Sequence, residues 1–277
     1  MLRASCLVFM QNKFKAYRLN ILDIDFNTLY KKQKQSSDFK PKTKEEWDAK
    51  AEDLNKRIHQ SIYNEQFLSA VNTSGCETLL DIGCGPGNLA IRFAKKLSQI
   101  YALDYSSEML KCLNQNCISK KIDNITTHQL SWDDDWSNLP RTDIVIASRS
   151  MEVADMKVAL EKLNNQAKKR VYLTYKTGGS FLDIDMLKLI GKTVTPKPDY
   201  IYIVNILYSL GINAKVGFLE SENNDSNINS YEDLLRRVEW SIGTLDENQK
   251  RLLEEYFNAG NRPKANKNDW ALIYWEK

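Results

Sequence analysis

Glu77-Thr78-Leu79-Leu80-Asp81-Ile82-Gly83-Cys84-Gly85-Pro86-Gly87-Asn88-Leu89-Ala90 is the stretch that decides the fold of this 277-residue chain. Thr78 to Ile82 is a short apolar run of β-forming residues, the pattern of a strand buried on both faces. Gly83, Gly85 and Gly87 then supply three positions without a Cβ, where backbone turns tightly and approaches a ligand closely. From Asn88 onward apolar residues return at Leu89, Ile91, Phe93, Ala94 and Leu97, the spacing of a helix packed on that strand. Strand, glycine turn and helix make the first unit of a nucleotide-binding α/β sheet.

Two ligand classes share this layout, and the spacing separates them. The dinucleotide fingerprint requires G-x-G-x-x-G or Ala, and counted from Gly83 its last position is Asn88. The glycines sit instead as G-x-G-x-G, with Asp81 near the end of the strand. A pyrophosphate at a helix N-terminus gains nothing from a carboxylate beside it, whereas a ligand carrying an ammonium does. S-adenosylmethionine carries an α-ammonium, a sulfonium, a ribose and an adenine, and no phosphate.

Leu80 to Gly87 resembles motif I of the class I S-adenosylmethionine-dependent methyltransferases. Ala102-Leu103-Asp104 ends nineteen residues after Gly85 and resembles the strand whose terminal acid binds the ribose hydroxyls in that family. The resemblance covers about residues 45–180 and comes nearest the broad group containing the ubiquinone/menaquinone-biosynthesis methyltransferases. It implies an α/β fold with a Rossmann-like seven-stranded sheet, an N-terminal helix, and a helical insertion before the last strand, with the last two strands antiparallel. It also implies an enzyme with S-adenosyl-L-methionine as cofactor, bound by Trp47, Asp81, Gly83, Cys84, Gly85, Asp104, Tyr105, Met109, Ser131, Trp132 and Ser148. Within that set Cys84 is a small side chain beside the ligand, Tyr105 follows the ribose carboxylate, and Met109 packs against the adenine. The family often places an aspartate after the third strand to meet the adenine amino group. This chain has Ser131-Trp132-Asp133-Asp134-Asp135-Trp136 there, with Ser131 in the aspartate register. The contact therefore falls to Ser131, the Trp132 amide or Asp133, and the flat indole of Trp132 suits the flank of the ring.

Hydrophobic content of 42% with 27% charged residues is ordinary for a soluble globular protein. A net charge of +3 is too mild to argue for nucleic acid by itself. No apolar run approaches the roughly 18 residues needed to span a bilayer, so no membrane partner is expected. The five cysteines (Cys6, Cys76, Cys84, Cys112, Cys117) contain no C-x-x-C pair and, with His59 and His128, offer no zinc-site spacing. No metal is expected, and an odd number of cysteines without a secretory signal fits reduced thiols in the cytoplasm. The apolar run Ala4 to Met10 is short, has only Arg3 before it and lacks a cleavage site, so it is not read as a signal peptide. Translation from Met1 and translation from Met10 or later are both compatible with it.

Residues 1–42 read as a weakly structured N-terminal arm, with lysines at 31, 32, 34, 40 and 42 expected in solvent. Residues 43–277 read as the methyltransferase domain. Thr43-Lys44-Glu45-Glu46 matches a capping box, and Trp47, Ala51, Leu54 and Ile58 then share one helical face. In the resembling enzymes such a helix folds over the cofactor; plain core packing is the alternative for Trp47. His59 is expected at the surface and His128 on a strand face. Further strands are expected at 100–104, 124–130, 142–149, 171–175, 214–220 and 270–275. Helices are expected after a cap at Ser106 or Ser107, at 154–167 with its lysines in solvent, and at 200–210, 231–242 and 246–258. Asn223 to Asn229 reads as a linker, and residues 230–262 as a helical lid over the active-site edge.

Ligands in open α/β sheets bind at the carboxyl edge, so Ser148, Arg149 and Ser150 at the end of the fourth strand border the reacting group. Arg149 is the candidate catalytic residue, because a guanidinium grips a substrate carboxylate or phosphate bidentately. A structural ion pair with Asp155 or Glu152 is the competing reading. Methyl transfer from a sulfonium needs alignment and exclusion of water, and a base only when the acceptor must lose a proton. Ala147-Ser148-Arg149-Ser150 is not the Asp/Asn-Pro-Pro-aromatic run of enzymes that methylate exocyclic amines or glutamine amides, and it contains no Pro-Cys. The expected function is methylation of a small-molecule acceptor. An RNA- or protein-modifying methyltransferase, suggested by the lysine-rich arm and the basic helix at 154–167, and a non-catalytic S-adenosylmethionine-binding protein are the alternatives.

Overall fold

The computed structural model describes residues 20–39, 41–58, 61–180, 182–220, 228–263 and 270–277. Seven strands form one sheet: β1 (Thr78–Ile82), β2 (Gln99–Asp104), β3 (Ile125–Gln129), β4 (Thr142–Ala147), β5 (Ala167–Lys176), β6 (Lys215–Leu219) and β7 (Trp270–Glu276). Their spatial order is β3-β2-β1-β4-β5-β7-β6. The first five are parallel, and β7 runs antiparallel to both β5 and β6. This is the Rossmann-like α/β architecture that the family resemblance implies. The accompanying helices are α1 (Phe26–Ser36), α2 (Lys44–Ile58), α3 (Ile62–Ala70), α4 (Ala90–Phe93) and α5 (Ser107–Lys120). They continue as α6 (Met156–Gln166), α7 (Ile184–Leu189), α8 (Tyr200–Ser209), α9 (Tyr231–Ile242) and α10 (Glu247–Asn258).

Alternation along β1 explains why its apolar run is continuous. Leu80 and Ile82 enter a core with Leu160, Leu163, Ile206 and Leu207 from α6 and α8. Leu79, on the opposite face, packs with Tyr63 and Phe67 of α3, Phe93 of α4 and Leu113 of α5. The helix expected from Asn88 through Leu97 is a single turn, α4, followed by a tight turn in which the Leu97 amide returns to the Phe93 carbonyl.

Within the arm expected to be weakly structured over 1–42, residues 26–36 form a helix capped by Asp25. Tyr30 is fully buried in the sheet core and its hydroxyl donates to the Val153 carbonyl at 2.9 Å. Lys31 and Lys34 do not stand free in solvent: they pair with Asp155 at 2.8 Å and Glu152 at 3.1 Å, with Lys31 still partly exposed. One buried tyrosine and these pairs order a helix whose own sequence is mostly polar. Residues 1–19, Lys40, His59 and most of the 223–229 linker lie outside the described residues.

A third apolar cluster stands apart from the sheet. Leu187 of α7, Leu234 and Val238 of α9 and Leu253 of α10 meet Phe39 in it. Because β7 opposes both β5 and β6, those two strands run the same way. The segments leaving them, which carry α7 and the α9–α10 pair, therefore emerge at the carboxyl edge of the sheet. No helix among the described residues is long and apolar enough to cross a membrane.

Candidate active site

At the end of β1 the backbone takes left-handed φ at Gly83 (68°) and Gly85 (53°). A Cβ on Gly83 would overlap Ser150, whose hydroxyl donates to the Ile82 carbonyl at 2.6 Å. A Cβ on Gly85 would meet nothing within 4 Å. The loop is thus closed on one side by the segment after β4 and open on the other. Asp104 lies two residues past Ala102, the β2 partner of Asp81. Its Oδ2 accepts the Gly85 amide and its Oδ1 the Ser106 amide, both at 2.9 Å, which orients the carboxylate and leaves lone pairs free. Asp81 is 2% exposed, and its Oδ2 is buried without a hydrogen-bond partner. Burial first, and the charge of Asp104 second, push its pKa up to about 7 against the Ala90 amide. Burial raises Asp104 as well, opposed by the Ser106 and Gly85 amides. Neither acid forms an ion pair among the described residues. Two buried carboxylates in this state call for a donor that brings positive charge.

The capping box predicted at the start of α2 is present: the Glu46 amide donates to the Thr43 hydroxyl and the Thr43 amide to the Glu46 carboxylate. The helix docks beside Asp104 through Asp48, which accepts the Ser106 hydroxyl at 2.5 Å and the Glu108 amide at 3.3 Å. Met109 is buried with Ala51 and Cys112 beneath Trp47 and Leu54, so its observed packing is against α2. Trp47 meets Trp240 of α9 edge to face at 6.2 Å. The Lys42 and Lys50 ammoniums lie 4.2 and 4.6 Å from the centre of the Trp240 ring. Tyr105 reaches the Lys42 carbonyl at 3.4 Å, and burial beside Asp104 pushes its phenol up to about 12.

In the loop after β3, the Ser131 hydroxyl accepts the Asp133 amide at 3.2 Å, and the Ser131 amide donates to Asp134 at 2.7 Å. The carboxylate that closes this turn is Asp134, not Asp133. Trp132 donates its indole N–H to the Ser150 carbonyl at 2.9 Å, which places it beside the segment covering Gly83. Lys162, expected in solvent, instead donates to the Trp132 and Asp134 carbonyls at 2.5 and 2.7 Å. Cys84 is buried among apolar side chains, and burial holds its thiol well above the usual range, which suits packing and not nucleophilic chemistry. His128 lies on β3 beside Tyr101. A shallow groove between α5 and β3, bordered by Leu110, Asn114 and Thr127, contains none of the two acids or the glycines.

Past β4, Arg149 has a φ of 57°, rare for a residue with a side chain. Its amide donates to the Thr174 hydroxyl at 2.9 Å. Its guanidinium lies 4.1 Å from the centre of the Tyr63 ring and 6.0 Å from that of Trp270. The Tyr63 hydroxyl is 2.7 Å from both the Ser148 and the Thr174 hydroxyls, so Ser148 is engaged here. Neither ion pair weighed for Arg149 forms: Asp155 pairs with Lys31, and Glu152 with Lys34 and Lys197. Asn88 donates its side-chain amide to Asn64 at 2.9 Å, tying α3 to the glycine loop. Sequence reasoning missed Tyr63, Thr174 and Trp270, which come from three elements and share no local motif.

The sequence profile of a family described as a methyltransferase domain matches residues 73–201, a span that contains the glycine loop, Asp104 and Arg149. The chain belongs to the class I S-adenosylmethionine-dependent methyltransferases. It is 40% identical over 263 residues to an uncharacterized protein of Haemophilus influenzae, covering 93% of this chain and 98% of that protein. It is 24% identical over 119 residues to a trans-aconitate 2-methyltransferase of Rhodococcus jostii, covering 42% of this chain and 44% of that enzyme. Its fold is similar to that of a SAM-dependent methyltransferase from Aquifex aeolicus, with a TM-score of 0.52 and 16% identity over 83% of this chain and 97% of that one. The cofactor of this methyltransferase is S-adenosylmethionine, and the residues present fit it. The unpartnered buried oxygen of Asp81 suits an ammonium, the free lone pairs of Asp104 suit hydroxyl donors, and the open side of Gly85 leaves room beside the backbone.

Proposed function

We propose that this methyltransferase acts on a compact small-molecule acceptor enclosed between the sheet edge and the helices above it. The observation that carries the proposal is the contact of Trp47 with Trp240, where α2 and α9 meet. A site walled by two helices and lined by aromatic side chains suits a ligand small enough to be enclosed. Three of the lysines that suggested a nucleic-acid acceptor have protein partners: Lys31, Lys34 and Lys42 are in ion pairs, and Lys42 also lies over Trp240. The Rhodococcus jostii relative acts, by its name, on trans-aconitate, which is a small molecule.

When bound, S-adenosylmethionine supplies an electrophilic methyl group for in-line displacement by an acceptor lone pair. Asp81 and Asp104 would hold its charged and hydroxyl groups, and residues 230–262 would act as a lid that excludes water. Burial holds the Tyr63 and Tyr175 phenols and the Cys84 thiol above their ordinary values. None of the three is suited to act as a base near neutral pH, so the acceptor presents its lone pair without help from them.

The test is incubation with methyl-labelled cofactor and either a metabolite extract or total RNA at low and moderate salt. Label should enter the low-molecular-weight fraction at both. Label in RNA that falls steeply with salt, as counterion release requires, would replace this proposal with an RNA-modifying activity. Cofactor binding with no labelled fraction would favour a non-catalytic protein.

A further inference from the structure

We infer that the acceptor carries a carboxylate and that Arg149, seated against Tyr63 and Trp270, binds it; this rests on the small-molecule proposal above. The topology brings the three residues to one edge. Trp270 opens β7 and pairs with Lys176 at the end of β5. Arg149 follows β4, which is parallel to β5. Tyr63 lies in the first turn of α3, the helix that descends from this edge into β1. Ser150, next to Arg149, touches Gly83 of the cofactor loop. An anion held by Arg149 therefore lies beside the cofactor site.

The backbone at Arg149 is left-handed and held there by the Thr174 hydroxyl. A strained conformation that its surroundings over-determine points to a role for the side chain it aims. The guanidinium lies over an aromatic ring and has no ion-pair partner among the described residues. A weakly hydrated face suits contact with a ring, while the N–H edges remain suited to a planar anion. Other cations nearby are engaged. Lys34 and Lys197 are on Glu152, and Lys176, which shares a strand face with Thr174, has an interaction of its own.

Charge selects carboxylate over phosphate. Arg149 contributes a single positive charge where it lies against Tyr63 and Trp270. A carboxylate is balanced by one guanidinium and matched by its fork. A phosphate monoester, at about −1.5 to −2, would leave negative charge uncompensated and a third oxygen to satisfy. The Tyr63 hydroxyl already bonds to those of Ser148 and Thr174.

The experiment uses the full chain, methyl-labelled cofactor and a metabolite extract divided into three parts. One part is untreated, one has its carboxyl groups amidated with carbodiimide and methylamine, and one is treated with phosphatase. Labelled small-molecule product should survive phosphatase and be lost on amidation. Arg149→Lys, which keeps the charge and loses the fork, should lower labelling at limiting extract at least tenfold and recover at saturating extract, a KM effect. Calorimetry with S-adenosylhomocysteine should give the same affinity for this variant, showing that it is folded. Small-molecule label that survives amidation, that is lost on phosphatase treatment, or that is unchanged in Arg149→Lys would overturn the assignment and leave the small-molecule proposal standing. Label confined to RNA or protein would remove both.

Discussion

A buried carboxylate with one unpartnered oxygen, that of Asp81, is the residue-scale feature from which cofactor binding by this enzyme follows. In the free protein Asp81 keeps its proton up to about pH 7, because burial and the neighbouring Asp104 disfavour its charge. A ligand that brings positive charge favours the ionised form, so its pKa in the complex lies below that value. Binding therefore releases a proton at low pH: affinity for S-adenosylmethionine should rise as pH increases toward about 7 and level off above it. Asp104 and Asp48 face the same region, so the comparison needed is wild type against Asp81→Asn, whose profile should be flatter. In the same calorimetric series Asp104→Ala should weaken binding about tenfold to hundredfold at every pH, since bonds to a charged acceptor contribute about 1.5–3 kcal/mol each. A wild-type affinity that does not change between about pH 5.5 and 8 would contradict the role given to Asp81.

At the scale of elements, α2 is the piece docked beside Asp104. It is held by Asp48 on Ser106, by a small cluster around Ala51 and Met109, and by Trp47 on Trp240. It has no place in either main core of the sheet. An element with few buried apolar contacts opens at lower free energy than the strands beneath it. Backbone amides of residues 43–58 should therefore exchange faster than those of β1, and slow when cofactor is added. Equal protection with and without cofactor would assign Trp47 to plain packing. The capping box of this helix was legible because its partners are three residues apart. Its contact with α9 was not, because Trp240 carries no mark that distinguishes it from a core tryptophan.

At the scale of the whole molecule, chain segments far apart in sequence are joined at the carboxyl edge. Tyr30 of α1 inserts into the sheet core below Val153, while Phe39 joins the cluster built by α7, α9 and α10. The N-terminal segment thus bridges the catalytic sheet and the helices above it. Tyr30→Ala should cost about 3–5 kcal/mol in urea denaturation, the range for losing a buried aromatic side chain. A solvated arm would lose almost nothing, so a change below about 0.5 kcal/mol would contradict the observed anchoring.

What the sequence determined unaided was what neighbours in the chain can specify. The strand, the glycine spacing and the acid nineteen residues beyond Gly85 depend on local alternation, turn geometry and chain reach, and each strand expectation fell within a few residues of the observed one. The tertiary structure alone decided which charges are neutralised and which are left. Lys31, Lys34 and Lys162 look like surface cations in any local window, yet each has a partner supplied by another element. Arg149 looks equally able to pair with Asp155 or Glu152, yet it lies against Tyr63 and Trp270, brought together by the start of α3 and the antiparallel strand β7. Electrostatic and aromatic contacts depend on distance in space and on exclusion of water, and neither is encoded in separation along the chain.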